Sequence, residues 1–341
     1  MIRVAALTQG VDVPGSRFRV RQYLPHLPIH GVEMSEFVAK VGSYPPESQL
    51  QRPVWALHTL FRRAGAVIKS HAYDMTFFQR ELLSTYYTME GLTKKPRVLD
   101  VDDAIWLNKR VDYAEKLARS CSAVICGQEF LAEQFSKWNS NIHILPTAVD
   151  DERFVPLISR VALPPTLGWT GGSGALHELY AMEDVFKTVL NIHKDARLRI
   201  LCDKPPKFTS LPHEQVEYVQ WSQDVEVKAI QGMTVGIMPM KDTDWNRGKC
   251  SYKMLLYMSC GVPVVVSPVG MNETVLKMDR VGIGASTHTE WIEALDYMLT
   301  QREKATEVGI IGRKLIEDKF GLKGVSMKLA EILKKIANSK K

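Results

Sequence analysis

Lys249 and Lys253 stand four residues apart at the head of an apolar stretch, just after Arg247 and Gly248 and with Cys250 and Ser251 between them. If residues 249–260 are helical, that spacing puts both ammonium groups on one face. They would lie beside the unpaired N–H groups and positive dipole end of a helix N-terminus. Such a corner suits a diphosphate, although two lysines can equally decorate an ordinary solvated helix face. A second loop, Gly270-Met271-Asn272, follows the apolar run 262–266 and opens another helix, so its amides can approach a phosphate or a sugar. Gly261-Val262-Pro263 reads instead as a helix stop feeding a buried strand. A third loop, Gly168-Trp169-Thr170-Gly171-Gly172-Ser173-Gly174, ends a strand ahead of a helix. It fits neither GxGxxG nor GxxxxGK[ST], so Gly171 and Gly172 either permit a tight turn or admit a ligand.

The first half carries a different chemistry. VLDVDDAIW closes a strand with Asp100, Asp102 and Asp103. Strand alternation buries one carboxylate and leaves the later two at the strand's carboxyl end, where they can hold the hydroxyls of a sugar-like substrate. A bound metal is not expected there. Gln79-Arg80-Glu81 belongs to the same rim. The loop from Gly10 to Ser16, which includes Gly15, follows the first strand and leads to Arg17, placed to hold an anion. The alternative is a plain surface helix capped by Ser16. There is no GxSxG or HExxH, and the nine histidines show no metal-ligand spacing. His71 and His177 read as ordinary loop residues.

Positioning these groups requires strands that alternate with crossover helices, and the sequence supplies them. Strands are expected at 2–8, 74–78, 97–101, 123–126 and 142–145, with helices at 17–30, 52–65, 79–91, 108–120 and 128–138. After a proline-interrupted passage at 150–166 the pattern restarts, with strands at 166–170, 197–202, 216–220, 234–238, 262–266 and 281–285. Its helices fall at 176–193, 224–231, 249–260, 272–277, 288–300 and 302–319. The expected class is therefore α/β, with two Rossmann-like, doubly wound parallel-sheet domains facing a cleft. These are residues 1–155 and 162–320, followed by a basic amphipathic helix over 321–341 that can cap either domain.

Composition narrows the function. With 341 residues, 45% hydrophobic and 24% charged, the chain is long enough for two cores and too apolar for disorder. Of the net charge of +6, residues 322–341 contribute +5 through six lysines and one glutamate, leaving about +1 on the rest and no footprint for a nucleic acid. Cys121, Cys126, Cys202, Cys250 and Cys260 form no CxxC pair and read as buried, reduced thiols of a cytoplasmic protein. The N-terminal apolar run is too short for a secretory signal, and no stretch is suited to span a membrane.

The succession RVLDVDDAIWL, AVICGQEFLAEQF, IHILPTAVDDERF, LGWTGG and GIMPM...WxxGKxxxKxxxYMxCGxPVVxSPVGxNE resembles retaining glycosyltransferases of family 4, the glycosyl transferases group 1, over about residues 1–320. The resemblance implies the GT-B fold and transfer of a sugar, with retention, from a nucleotide-sugar to a saccharide or lipid-linked acceptor in surface polysaccharide or glycolipid synthesis. It places a UDP- or GDP-sugar mainly on the second domain and the acceptor on the first. The diphosphate would meet Gly248–Ser251, Lys249 and Lys253, and the base would lie near Gln220 to Ser222, beside Trp221. No cofactor is implied, since the nucleotide-sugar is a substrate. Two family features are replaced. The Glu-x7-Glu positions are Gly248 and Leu256, and a common first-domain His position is Asp102.

In the mechanism so implied, Lys249, Lys253 and helix amides stabilise charge developing on the departing diphosphate without a metal, while Asp102 or Asp103 orients the acceptor hydroxyl. The segment RPVWALHTLFRRAGAVIKS (52–70) mixes Trp55, Leu57, Leu60 and Phe61 with Arg52, Arg62, Arg63 and Lys69. It suits either peripheral contact at the inner face of the cell membrane or a normal helix with a basic outer face. Two rival functions remain, a nucleotide-sugar epimerase or phosphorylase of this architecture and a non-catalytic partner subunit that has lost the Glu pair.

Overall fold

The computed structural model describes residues 1–11, 13–39, 45, 46, 48–108, 111–157 and 164–339. The chain forms two compact units. The first comprises Met1–Ala148, Gly248–Cys250 and Leu322–Lys341, and the second Val149–Arg247 and Ser251–Gly321.

The first unit is built from β1 (Ile2–Thr8), α1 (Pro14–Arg19), β2 (Val32–Val38), α2 (Arg52–Ser70), β3 (Met75–Gln79) and β4 (Arg97–Val101), then α3 (Val111–Ser120), β5 (Ala123–Cys126), α4 (Glu129–Ser136) and β6 (Ile142–Ile144). Its six strands are parallel in the order β2-β1-β3-β4-β5-β6. The central strands are covered on both faces, which explains their near-continuous apolar runs.

The second unit runs β7 (Thr166–Thr170), α5 (Leu176–Tyr180), α6 (Glu183–Ile192), β8 (Arg197–Cys202), β9 (Val216–Gln220), α7 (Gln223–Gln231) and β10 (Val235–Met238). It continues through α8 (Asp244–Arg247), α9 (Tyr252–Ser259), β11 (Val264–Val266), α10 (Met271–Met278), β12 (Gly282–Gly284), α11 (His288–Thr300) and α12 (Arg302–Leu315). A second parallel sheet, ordered β12-β11-β10-β7-β8-β9, results. The last helix, α13 (Leu322–Asn338), returns to the first unit and buries Leu322, Val325, Leu329, Leu333 and Ile336 in its core.

Several sequence expectations need correction. The helix expected at 17–30 is only α1, followed by single tight turns at Arg21–Tyr23 and Pro28–His30. The strand β2 was not anticipated. It lies at the sheet edge, and its sequence VEMSEFV carries two glutamates, so it lacks the apolar run of a central strand. No helix spans 79–91. Gln79 still belongs to β3, Arg80 takes a positive φ of 64°, and buried carboxylates collect the backbone donors that a helix would have used. Glu90 accepts from the N–H groups of Leu82 and Thr88, at 2.9 and 2.5 Å, and Glu81 accepts from that of Thr85. The helix expected at 108–120 begins, as described, at Val111, since residues 109 and 110 lie outside the described set. The helix over 52–65 extends to Ser70. All five cysteines are buried and unpaired.

Alternation along β4 buries Asp100, as expected, and its partner is Arg19 from α1. The guanidinium donates to both carboxylate oxygens, at 3.0 and 2.6 Å, and its remaining nitrogen reaches the Leu145 carbonyl at 2.9 Å and the Thr147 hydroxyl at 3.3 Å. This bidentate arrangement ties α1, β4 and the chain after β6 together in a dry interior. Arg19→Met leaves the Asp100 charge buried without a partner and is expected to lower stability by about 3–5 kcal/mol. Adding Asp100→Leu should recover much of that loss in urea unfolding. Equal stability of the single variant and the wild type would show that the pair does not hold these elements.

Candidate functional site

Asp102 and Asp103 follow the carboxyl end of β4, where a parallel sheet presents ligand-binding groups. Asp103 faces the Arg80 guanidinium at 3.4 Å. Asp102 offers its backbone oxygen to the Cys250 thiol at 3.2 Å, and its Oδ1 is buried with no hydrogen-bond partner. Beside it, both side-chain amide atoms of Gln79 are also buried and unpartnered. Gly15, in α1, closes this group: a Cβ there would stand 2.5 Å from Gln79 Nε2 and 3.2 Å from Asp102 Oδ2. Buried polar atoms without partners are rare, and here two neighbouring residues both carry them. The sequence marks Gln79 only as part of the rim. No sequence signal distinguishes an orphaned amide from a satisfied one.

Gly248, Lys249 and Cys250 come from the second half of the sequence but belong to the first unit. Gly248 lies against Ala104, the Lys249 carbonyl accepts from Gln128 Nε2 at 3.2 Å, and Cys250 packs onto Gly127, where no Cβ would fit. The expectation that Lys249 and Lys253 share one helical face is therefore corrected. The helix α9 begins only at Tyr252, because Ser251 adopts a left-handed conformation (φ 51°) that interrupts the helical course. Arg17 stacks on the Phe18 ring, with its guanidinium carbon 4.3 Å from the centroid.

In the second unit, Lys253 lies in the first turn of α9, with its ammonium 5.4 Å from the centre of the Trp169 ring at the end of β7. The side of Gly171 that would carry a Cβ faces Lys253 and Trp169, while Gly172 has open space apart from Asp203. Ser251 caps α9 without a side-chain hydrogen bond, and its hydroxyl oxygen is buried and unpartnered. The N-terminus of α10 repeats the arrangement. Gly270 (φ 57°) presses its α-carbon against the Arg247 backbone, where a Cβ has no room, and Met271 is buried in the first turn. Asn272 donates to the Ser267 carbonyl at 3.0 Å but keeps its Oδ1 buried and unpartnered. Two helix N-termini of the same unit thus each hold a buried polar atom in reserve. Trp221, just after β9, donates its indole N–H to Glu226 at 3.1 Å. Arg247 is engaged by Asp242 through two hydrogen bonds of 2.7 and 2.9 Å. Among the described residues, no group of His, Cys, Asp and Glu could hold a metal ion.

Residues 164–301 match the model of a family described as glycosyl transferases group 1. No curated protein sequence matches the chain. Solved structures do. Alr3699/HepE from Anabaena, in complex with UDP and glucose, superposes with a TM-score of 0.72 at 12% identity, over 98% of this chain and 100% of that one. A glycosyltransferase from Rickettsia africae ESF-5 gives 0.69 at 12% identity, over 98% of each chain. WaaG, a glycosyltransferase involved in lipopolysaccharide biosynthesis, gives 0.66 at 12% identity, over 96% of this chain and 99% of that one. The fold is accordingly the GT-B class, with two helix-wrapped parallel sheets of six strands.

Burial and the neighbouring Asp102 push the Asp103 carboxyl up to about 7, against the pull of Arg80 and Lys249. Between pH 4 and 7 the folded chain therefore holds a proton at this site that the unfolded chain has released. Asp103's contribution to stability must then fall as pH rises through that window. Thermal unfolding of wild type and Asp103→Asn at a series of pH values checks this. The wild type should lose stability relative to the variant from about pH 4 to about pH 7, and a constant difference would place Asp103 at an ordinary carboxylate value.

Proposed function

We propose that this chain is a retaining glycosyltransferase that moves a sugar from a nucleotide-sugar donor to a saccharide or lipid-linked saccharide acceptor, in the assembly of a surface polysaccharide or glycolipid. The observation that carries this reading is the match of residues 164–301 to glycosyl transferases group 1, a span that takes in the loops at 168–174, 247–253 and 270–272. The Anabaena protein, of the same fold, was crystallised with UDP and glucose and with UDP-glucose, which makes a UDP-sugar the first donor to test and a GDP-sugar the second.

On this reading the second unit takes the donor. The N-termini of α9 and α10 offer backbone N–H groups and a favourable dipole to the diphosphate, and the free Ser251 hydroxyl and Asn272 Oδ1 supply polar contacts within the same loops. Gly171 packs against Lys253 and Trp169, Gly172 leaves its backbone open beside Asp203, and Trp221 lies at the carboxyl end of β9, where the base is assigned. Lys253 meets the charge that grows on the diphosphate as the glycosyl bond breaks and the sugar acquires oxocarbenium character, the role that the resemblance also gives Lys249. Arg247 contributes once it exchanges Asp242 for phosphate. Asp102, Asp103 and Gln79 orient the acceptor hydroxyl, whose proton passes to the leaving phosphate. Charge neutralisation by lysines and helix amides calls on no metal.

Release of nucleoside diphosphate from UDP-, GDP- and ADP-sugars, with simple saccharides as acceptors, tests the reading. Lys253→Ala and Lys249→Ala should each lower turnover by about 100- to 1,000-fold with the thermal transition retained. Replacement of the family's Glu-x7-Glu positions by Gly248 and the buried Leu256 favours one competing reading, a non-catalytic partner subunit. Nucleotide binding without release from any sugar conjugate would establish that alternative.

A further inference from the structure

Outside the groups described above, the first unit holds a cavity of about 480 Å³ between the flank of α2 and the edge strand β2. On the strand side its wall runs from Glu36 to Ala39, at the carboxyl end of β2, and on the helix side it is lined by Thr59, Arg62, Arg63 and Lys69. Gly65 leaves the helix side open, since a Cβ there would meet nothing within 4 Å. The carboxyl ends of parallel strands are where α/β sheets take up ligands. Clefts that hold small molecules span roughly 300–1,000 Å³, so this one has room for more than a bare inorganic ion.

The charge around the cavity is one-sided. Arg63 is only 3% exposed, yet its Nε has no hydrogen-bond partner and its hydrogen bond to the Phe37 carbonyl is 3.5 Å long. Burial pulls this guanidinium down to about 10, so it is still charged at neutral pH. A buried guanidinium is well satisfied by a two-pronged carboxylate, as Arg19 is by Asp100, and no carboxylate gives Arg63 that grip. Glu36, in the cavity wall, already accepts two hydrogen bonds of 2.9 Å from Arg21 and one of 2.7 Å from the Thr8 hydroxyl. Glu90, whose charge reaches Arg63, is taken up by the N–H groups of Leu82 and Thr88. Arg62 and Lys69 add two exposed cations to the cavity lining. Among the described residues neither has a carboxylate partner, and Arg62 donates to the His58 ring at 3.2 Å.

We infer that this cavity is a binding site for a small soluble phosphate ester, of the size of a sugar phosphate, with the Arg63 guanidinium meeting the phosphate and Arg62 and Lys69 completing the charge around it. A neutral saccharide would leave the buried cation unpaired. A phosphate monoester brings close to two negative charges and three acceptor oxygens, which three cations can share, whereas a carboxylate brings one charge and two oxygens. Phe37, Val38, Ala39 and Ala66 in the wall are apolar and suit the carbon skeleton of the ester. The inference is independent of glycosyl transfer, because the cavity shares no residue with the donor loops or with Gln79, Asp102 and Asp103.

Titration calorimetry on the full chain at low ionic strength tests it, with glucose 6-phosphate, inorganic phosphate and glucose as probes. Glucose 6-phosphate should bind at one site per chain, inorganic phosphate at least about tenfold more weakly, and glucose not measurably. Saturating UDP should leave the titration unchanged. Arg63→Met should weaken binding of glucose 6-phosphate about 10- to 100-fold, while keeping or raising the melting temperature, since an unpaired buried charge is removed. Arg62→Gln with Lys69→Gln, both on the surface, should weaken it at least about threefold and carries the test should the Met variant fail to fold.

The inference is overturned if the ester does not bind, if glucose binds as tightly as its phosphate, if UDP displaces the ester, or if either folded variant keeps the affinity of the wild type. Inorganic phosphate that binds as tightly as the ester would overturn the assignment to an ester and leave a free-anion site. Capture by phosphatidylglycerol vesicles of a protein that ignores the soluble ester would overturn it as well, and assign the cavity to a lipid headgroup. Nucleotide-induced thermal shifts on the same preparations report separately on the glycosyl-transfer reading.

Discussion

A carboxylate held out of water governs the first unit. Asp100 sits inside a parallel sheet, where an unpaired charge would cost several kcal/mol, and only the two-pronged grip of Arg19 makes it tolerable. Because Arg19 also binds the Leu145 carbonyl and the Thr147 hydroxyl, one guanidinium fixes α1, the middle of β4 and the chain leaving β6. The positions of Gly15 on α1 and of Asp102 and Asp103 past the end of β4 follow from that anchor. Their neighbourhood is left with unspent hydrogen-bonding capacity at Gln79 and Asp102.

The second unit solves a related problem with backbone rather than side-chain charge. Two of its helix N-termini, at Ser251 and Gly270, begin at residues of positive φ, and each is followed or capped by a buried polar atom without a partner. Backbone amides arranged in this way cost no reorganisation when an anion arrives, which is the property that transition-state stabilisation demands. Lys253 rests over the Trp169 ring.

Much of this was legible in the sequence, and the failures have physical causes. Eleven of the twelve strands were legible as apolar or β-branched runs, the central ones most clearly, because strands covered on both faces need no alternation. The burial of Asp100 and the emergence of Asp102 and Asp103 followed from strand alternation alone. The edge strand β2 was missed because Glu33 and Glu36 look like loop residues until Arg21 is seen to bind Glu36. The stretch 79–91 is rich in helix-forming residues, yet Glu81 and Glu90 take up its backbone donors through buried contacts that no local pattern foretells. Lys249 was misplaced by the same kind of oversight. A left-handed serine carries no sequence signature of the sort that glycine provides, so the start of α9 could not be read correctly.

The central claim is that the second unit binds a nucleoside diphosphate and its sugar conjugate. Thermal unfolding of the intact chain in the presence of UDP, GDP, ADP and their sugar conjugates, with and without Mg²⁺, tests it most directly, because a ligand that binds only the folded state raises the transition temperature. The account predicts a clear rise with one base, for both the diphosphate and the sugar conjugate, that does not depend on the metal. No rise with any nucleotide would contradict it.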